Sequence, residues 1–270
     1  MRKISLSSTI VTHKSNLENL RQTIDSCLKA ISQAQKFYDI NFTFFIVDNS
    51  LSSLYLQELK NILPSFIKLI VLDKNKGFGH GHNSILPQIN SDYHLVLNPD
   101  VILQEDALLL SLHYLNKNHH TSLLVPQIFS FEGERQYLCK TNPTLLIMFL
   151  RGIAPSFIKK FFSSYLKKHL RLDDNYEEVM TNLDYPSGCF MFFRTSFFCK
   201  IKGFDENFFM YYEDADIGKK IIQHNGQTDY VPSVKIWHLW GRGTHQSFRL
   251  KWATIKSGFY YLRKWRTGLF

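Results

Sequence analysis

The chain has 270 residues, 44% of them hydrophobic and 20% charged, with 23 Phe and 13 Tyr. That composition supplies a sizeable core and excludes disorder and collagen-like repeats; at ~100–200 residues per domain it allows one large domain or two small ones. The net charge of +9 sits in two blocks, since no acid follows Asp229 and none lies between Glu134 and Asp173, while Lys and Arg recur among aromatics through both stretches.

The first 125 residues alternate strand and helix signals. Ile4 to Thr12 reads as a strand rich in β-branched residues. Ser15 and Glu18 have the spacing of a capping box, and Leu17, Leu20, Ile24, Cys27, Leu28 and Ile31 follow at helical spacing. Phe42 to Val47 is a continuous apolar run, as expected of a strand buried on both faces. Leu54 to Ile62 reads as a helix and Lys68 to Leu72 as a third strand. The turn Gly77-Phe78-Gly79-His80-Gly81 opens a short helix. Tyr93 to Leu97, Glu105 to Leu115 and Ser122 to Val125 then read as strand, helix and strand. The alternation predicts an α/β fold with a mainly parallel sheet covered on both faces.

Pro126 to Leu183 is less regular and holds the first basic, aromatic-rich block. Gly188 to Arg194 is a strand candidate, Asp214 to His224 a helix, and Asp229 to Val231 and Val234 to Trp237 short strands. Phe248 to Trp265 fits an amphipathic helix with Trp252, Ile255, Phe259 and Leu262 on one stripe. The economical reading is one compact domain over residues 1–245, with a basic helix over 246–270 packed on it or extending from it. Cys27, Cys139, Cys189 and Cys199 form no C-x-x-C pair and are read as reduced core thiols of a cytoplasmic protein. The N-terminus leads into no signal-peptide apolar block, and Leu145 to Leu150 is far short of the ~20 residues of a membrane span. The basic blocks suit an anionic partner: a membrane surface, a phosphorylated substrate or nucleic acid.

In an open α/β sheet ligands bind at the carboxyl ends of strands. Three polar clusters fall there: Thr12-His13, Asp48-Asn49-Ser50 and Asn98-Pro99-Asp100. Turn chemistry explains any one alone; three at successive strand ends favour a shared site. Asp48 can accept a nucleobase N–H, and Asp100 can hold a divalent cation through oxygen. Gly77, Gly79 and Gly81 do not make the dinucleotide fingerprint, because position 82 is His. His80 and His82 lack a third ligand and read as a solvated loop. Residues 203–216, GFDENFFMYYEDAD, set five carboxylates around an aromatic wall and suit a general base tuned by burial. His238, between Trp237 and Trp240, reads as a core histidine or a ligand to metal or phosphate.

Taken in order, these pieces resemble the family 2 glycosyltransferases, and most strongly their bacterial rhamnosyltransferase-like subgroup. The motifs are Ile10-Val11-Thr12-His13, Val47-Asp48-Asn49-Ser50, Asn75-Lys76-Gly77-Phe78-Gly79 with Asn83, Leu97-Asn98-Pro99-Asp100, Ser187-Gly188, Gly203-Phe204-Asp205-Glu206 and Phe209 to Asp216. The resemblance implies a glycosyltransferase A-type (GT-A) fold over residues 1–245, a nucleotide-sugar donor, a divalent Mg2+ or Mn2+ ion, and inversion at the anomeric carbon. It implies Asp214 as catalytic base and Thr12, His13, Asp48, Asn49, Gly77, Asn83 and Asn98 as donor-binding residues. Asp100 and His238 fall on the metal side, and Asp205, Glu213 and Asp216 on the acceptor side. His13 stands where Tyr is commoner, Asn98 replaces the first carboxylate of D-x-D, and Lys202 replaces a glycine.

The expected activity is transfer of a sugar, rhamnose favoured, from dTDP-rhamnose or a UDP-sugar. The acceptor is a hydroxyl of a glycan or polyprenyl-diphosphate-linked glycan, in cell-surface polysaccharide synthesis. The basic aromatic segments place the enzyme peripherally on the anionic inner face of the cell membrane. Two other readings stay open: a metal-dependent nucleotide-sugar hydrolase and a basic nucleic-acid-binding protein. The acidic cluster disfavours nucleic acid, because it repels phosphates.

Overall fold

The computed structural model describes residues 2–239 and 248–267. Trp240 and the 245/246 boundary lie outside them. In chain order the elements are β1 (Lys3–Thr12), α1 (Leu17–Gln35), β2 (Asp39–Asp48), α2 (Ser53–Ile62), β3 (Lys68–Val71), α3 (Phe78–Asn83), β4 (Tyr93–Leu97), β5 (Val101–Leu103), α4 (Ala107–Lys117) and β6 (Thr121–Phe129). There follow α5 (Leu145–Gly152), α6 (Ser156–Phe161), α7 (Ser163–His169), β7 (Phe190–Arg194), α8 (Thr195–Lys200), α9 (Glu213–Gln223), β8 (Gln227–His238) and α10 (Phe248–Trp265).

The strands form one eight-stranded sheet in the order β3-β2-β1-β4-β7-β6-β8-β5. Four pairings are parallel (β3/β2, β2/β1, β1/β4, β6/β8) and three antiparallel (β4/β7, β7/β6, β8/β5). The βαβ half at the N-terminus is therefore wholly parallel, as the alternation predicts. The antiparallel pairings come from β7, which enters from the irregular middle, and from the three-residue β5, too short to carry a periodic signal.

Successive side chains point to opposite faces, and the central strands show it. Leu95 and Leu97, Phe190 and Phe192, and Leu124 pack on one face with α1 and α4. Val96, Met191 and Phe193, and Leu123 and Val125 pack on the other with Phe198, Phe204, Ile217 and Ile221. Both faces are covered, so these strands read as continuous apolar runs. A buried polar patch interrupts the core: Ser7 Oγ lies 2.8 Å from His94 Nδ1, with Thr9 on the other ring nitrogen. Burial lowers the His94 pKa to about 3, so the imidazole is neutral.

Local details differ from the sequence reading. The first helix is capped by Asn16, whose side chain accepts the Asn19 N–H at 2.9 Å, not by Ser15. β8 is one strand whose register against β6 shifts between Pro126 and Gln127, which is why it reads as two. Cys27, Cys139 and Cys189 are buried but Cys199 is exposed. His82 is not in a solvated loop: it is fully buried against Phe78 and Phe204.

The apolar stripe of α10 faces outward, with Trp252, Ile255 and Phe259 exposed. The side that packs carries Ser257, Gly258 and Tyr261.

Candidate active site

Parallel β2, β1 and β4 end on one edge of the sheet. Thr12 and Asp48 are register partners there, the last residues of their strands. Asp48 is buried; its Oδ1 accepts the Ser50 N–H at 2.9 Å, and its Oδ2 has no partner. A buried carboxylate oxygen left open is costly unless a ligand donor completes it. Tyr55, from α2, stands beside Thr12 and Asp48; burial, then the Asp48 charge, raises its pKa against the pull of hydrogen bonds to Thr12 and Ser15. Periodicity marks Tyr55 only as a core position, so nothing in the sequence singles it out. His13 Nδ1 lies 2.9 Å from the Asn49 carbonyl.

The second cluster follows β4. Antiparallel β7 brings Phe190 opposite Leu97, and the Asn98 N–H donates to the Cys189 carbonyl at 2.9 Å. Pairing of Val101 with His238 brings β8 alongside. Asp100 Oδ1 and His238 Nε2 lie 3.4 Å apart, about the separation of two neighbouring ligands on one ion. No cluster of three or more His, Cys, Asp or Glu suited to a metal occurs among the described residues. One carboxylate and one imidazole fit a cation that takes its other ligands from substrate phosphate and water, the usual habit of Mg2+.

The third segment runs from Gly203 into α9. It is tied to the glycine turn: the Phe78 N–H donates to the Phe209 carbonyl at 3.1 Å, and Asn49 Nδ2 donates to the Gly77 carbonyl at 3.2 Å. Tyr211 and Tyr212 both adopt left-handed backbone, at φ 66° and 68°. Such strain, of order ~1–3 kcal/mol per residue, persists only where packing over-determines it.

The two left-handed residues present Glu213 and Asp214 at the start of α9. Gly188 lies against Asp214, a Cβ there coming within 3.7 Å of the Asp214 Cβ. Burial, then the Asp214 charge, pushes the Glu213 pKa well above the carboxylate range. Burial also raises Asp214, against the pull of Lys140 and hydrogen bonds that include the Tyr185 hydroxyl. Burial, with both Asp100 and Asp214 contributing, lifts the Cys189 thiol to about 12. The three aspartates from remote segments therefore share one edge of the sheet.

The five carboxylates of this stretch divide by environment. Asp205 Oδ2 accepts from Lys264 Nζ at 2.7 Å and from the Tyr260 hydroxyl at 3.0 Å. Burial raises its pKa, but Lys264 and Asn207 outweigh that and hold it down at about 2. Asp216 is fully buried, with its Oδ1 2.6 Å from Lys264 Nζ and 2.8 Å from Trp265 Nε1. Asp205 and Asp216 thus anchor α10 and are not free for an acceptor. Glu206 pairs with His80 at 2.6 Å.

Asn83 is likewise committed, its Nδ2 donating to the Phe204 carbonyl at 2.8 Å and its Oδ1 accepting the Phe204 N–H at 2.9 Å. It braces the Phe204 loop, so its place among donor-binding residues has a structural explanation. Gly77, at φ 102°, needs glycine because a Cβ would meet the Phe209 carbonyl. Lys202, where the resemblance expects glycine, sits at φ 57°. A large open cavity, about 670 Å3, lies on the opposite edge near Arg194 and His224, and no carboxylate lines it.

A family model described as "Glycosyl transferase family 2" matches residues 7–199. The chain is similar to the rhamnosyltransferase WbbL of Escherichia coli, at 29% identity over 203 residues, covering 70% of this chain and 71% of that protein. It is similar to an N-acetylglucosaminyl-diphospho-decaprenol L-rhamnosyltransferase of Mycobacterium tuberculosis, at 24% identity over 183 residues and 64% of this chain, but spans only 58% of that relative. Among solved structures it is similar to GalNAc-T7 with UDP, GalNAc and Mn2+, with a TM-score of 0.62 and 15% identity, covering 88% of this chain and 43% of that one. That likeness is one of fold, the GT-A fold.

Proposed function

The chain belongs to glycosyl transferase family 2, and on that premise we propose that it transfers a sugar, rhamnose favoured, from a nucleoside-diphosphate donor to a hydroxyl of a lipid-linked glycan. It is a glycosyltransferase of cell-surface glycan synthesis. The mycobacterial relative is named for a diphospho-decaprenol acceptor, which supports an acceptor on a polyprenyl diphosphate.

Asp48 Oδ2, buried and without a partner, accepts an N–H of the nucleobase, with Thr12, His13 and Tyr55 as pocket walls. Asp100 and His238 hold the divalent ion, which when bound offsets the charge of the diphosphate leaving group. Asn49 and Asn98 shape the turns that face the donor.

Asp214 takes the proton of the acceptor hydroxyl. A raised pKa suits a base near neutral pH, and a single displacement with inversion needs only one. Burial and the Asp214 charge push the Glu213 carboxyl toward its neutral form.

No helix among the described residues is long and apolar enough to cross a membrane. The exposed Phe157, Phe161, Trp252 and Phe259, close in sequence to many lysines, support peripheral docking on an anionic inner membrane face.

The observation that carries the reading is the meeting, at one sheet edge, of an open buried carboxylate, an Asp–His pair and a desolvated Glu–Asp pair. A thermal-shift screen of nucleoside diphosphates with and without Mn2+ tests it, since a ligand of the folded state raises its melting point. We expect a Mn2+-dependent shift for dTDP or UDP that is lost in Asp48→Ala. A shift that survives that substitution refutes the pocket.

A further inference from the structure

Lys140 and Arg151 belong to the basic middle block, and the catalytic reading leaves both unused. Lys140 is held beside Tyr185 by a backbone bridge, its N–H donating to the Tyr185 carbonyl at 3.1 Å. Its ammonium lies over the Tyr185 ring, 4.9 Å from the centroid. Tyr185 in turn stands beside Asp214, whose charge adds to burial in holding the Tyr185 hydroxyl well above its usual pKa. Among the described residues, no carboxylate or carbonyl stands within hydrogen-bond distance of the Lys140 ammonium, although the side chain is half-buried.

Arg151 is in the last turn of α5, close enough to Lys140 that the two charges repel. Its Nη1 faces His169 Nε2 at 3.4 Å. His169 is buried, and burial together with Arg151 and Lys140 takes its pKa down to about 3. It is therefore a neutral acceptor, with its Nδ1 turned to Thr141 Oγ1 at 3.2 Å. A neutral imidazole orients the guanidinium but does not cancel its charge.

Asp214 offsets one of these two like charges, and the net positive charge that is left favours an anion between them. Arg suits phosphate oxygens because its fork binds them in pairs.

The surroundings choose the anion. Lys140 reaches Tyr185 and Asp214. Arg151 sits on α5, and α5, the turn after it and α6 expose Phe149, Ile153, Phe157 and Phe161. α10 packs on α5 where Gly258 meets Met148 and adds the exposed Trp252, Ile255 and Phe259. The order base, cations, apolar surface is the order hydroxyl, diphosphate, hydrocarbon in a prenyl-diphosphate-linked sugar.

We propose that Lys140 and Arg151 seat the diphosphate of the lipid-linked acceptor, whose prenyl chain leaves along the exposed apolar faces of α5, α6 and α10. The inference rests on the transferase reading above. A donor diphosphate has the same chemistry, so the test separates the two sources.

Binding of farnesyl diphosphate to the full chain is measured with the donor pocket saturated by dTDP or UDP and Mn2+. Arg151→Gln and the double variant with Lys140→Gln are compared with the parent. We expect farnesyl diphosphate affinity to fall at least tenfold in the double variant, with nucleoside diphosphate affinity kept within twofold, which also certifies the fold. The exposed Arg151→Gln alone gives a smaller loss in the same direction.

In turnover, the ratio of kcat/KM for a diphosphate-linked acceptor to that for the same sugar on an uncharged alkyl aglycone falls at least tenfold. Unchanged farnesyl diphosphate binding overturns the proposal, as does a matching loss of nucleoside diphosphate affinity, which assigns the cations to the donor. If the parent transfers sugar to neither acceptor yet binds farnesyl diphosphate through these two residues, the seat stands and the acceptor reading falls.

Discussion

Lys264→Met separates α10 as an anchor of the catalytic segment from α10 as an appendage. Lys264 bridges Asp205 at 2.7 Å and Asp216 at 2.6 Å, and the Asp216 side chain has 0% exposure. Removing one partner of a buried pair leaves an uncompensated charge, at a cost of about 3–5 kcal/mol. Asp205 loses less, because Tyr260 and Asn207 still donate to it.

The cost depends on pH in a definite direction. Burial already raises the Asp216 pKa with Lys264 present, so the variant folds best with Asp216 protonated. A group whose folded pKa lies above its unfolded value loses stability as pH climbs from the unfolded value through the folded one. The gap between parent and variant therefore widens as pH rises above the usual carboxylate range.

At about 2–4 °C per kcal/mol for a chain of this size, the loss reads as a fall of roughly 6–20 °C in Tm at pH 8. The left-handed Tyr211 and Tyr212 are held by the same helix, through Ser257 on the Met210 carbonyl at 2.9 Å and Tyr261 against Tyr212. Turnover should fall while nucleoside diphosphate binding persists, and Lys264→Arg should recover part of both losses. A loss under about 1 kcal/mol, the range of exposed ion pairs, with unchanged kcat, would refute the argument.

Two further outcomes follow from the same packing. His82 is buried without a partner and burial lowers its pKa well below the usual value, so its contribution is fully present above about pH 6.5 and is lost as pH falls. Glu213, Asp214 and Asp216 titrate in the opposite sense, so the readout is a difference: by urea unfolding, His82→Leu should gain on the parent by about 1.4 kcal/mol per pH unit below pH 6.5, and a constant gap contradicts the neutral imidazole. Gly77→Ala should cost about 3 kcal/mol, because its φ of 102° and the Phe209 carbonyl both oppose a Cβ; a fully stable, active variant contradicts that packing.

The parallel half of the fold was legible because β1, β2 and β4 are largely buried and α1 presents one apolar face. Tyr93–Leu97 and Phe248–Trp265 have the bounds that the pattern predicts. The middle was not legible: α5, α6 and α7 have 8, 6 and 7 residues, too few turns for a periodic face to declare itself. The inner face of α10 had no apolar stripe to announce it. The stripe of Trp252, Ile255 and Phe259 stays exposed, and the helix docks through Ser257, Tyr261, Lys264 and Trp265 onto polar groups.

The strand-end clusters were visible as polar residues closing apolar runs. The split among the acidic residues was not. Asp205 and Asp216 look like Asp214 in sequence, and only their contact with Lys264, remote along the chain, commits them to structure. Lys140 and Tyr185 carry no motif at all, and their bearing on Asp214 comes from tertiary placement.

Everything in the proposed chemistry depends on Asp214 as the group that accepts the proton. Asp214→Asn keeps the size of the side chain and removes its basicity. Steady-state turnover with saturating nucleotide sugar and diphosphate-linked acceptor, beside calorimetric binding of the nucleoside diphosphate, is the direct measurement. The account predicts nucleoside diphosphate binding within about twofold of the parent and kcat lower by at least about 100-fold, the contribution of a positioned base. Turnover within tenfold of the parent, with binding intact, would contradict it.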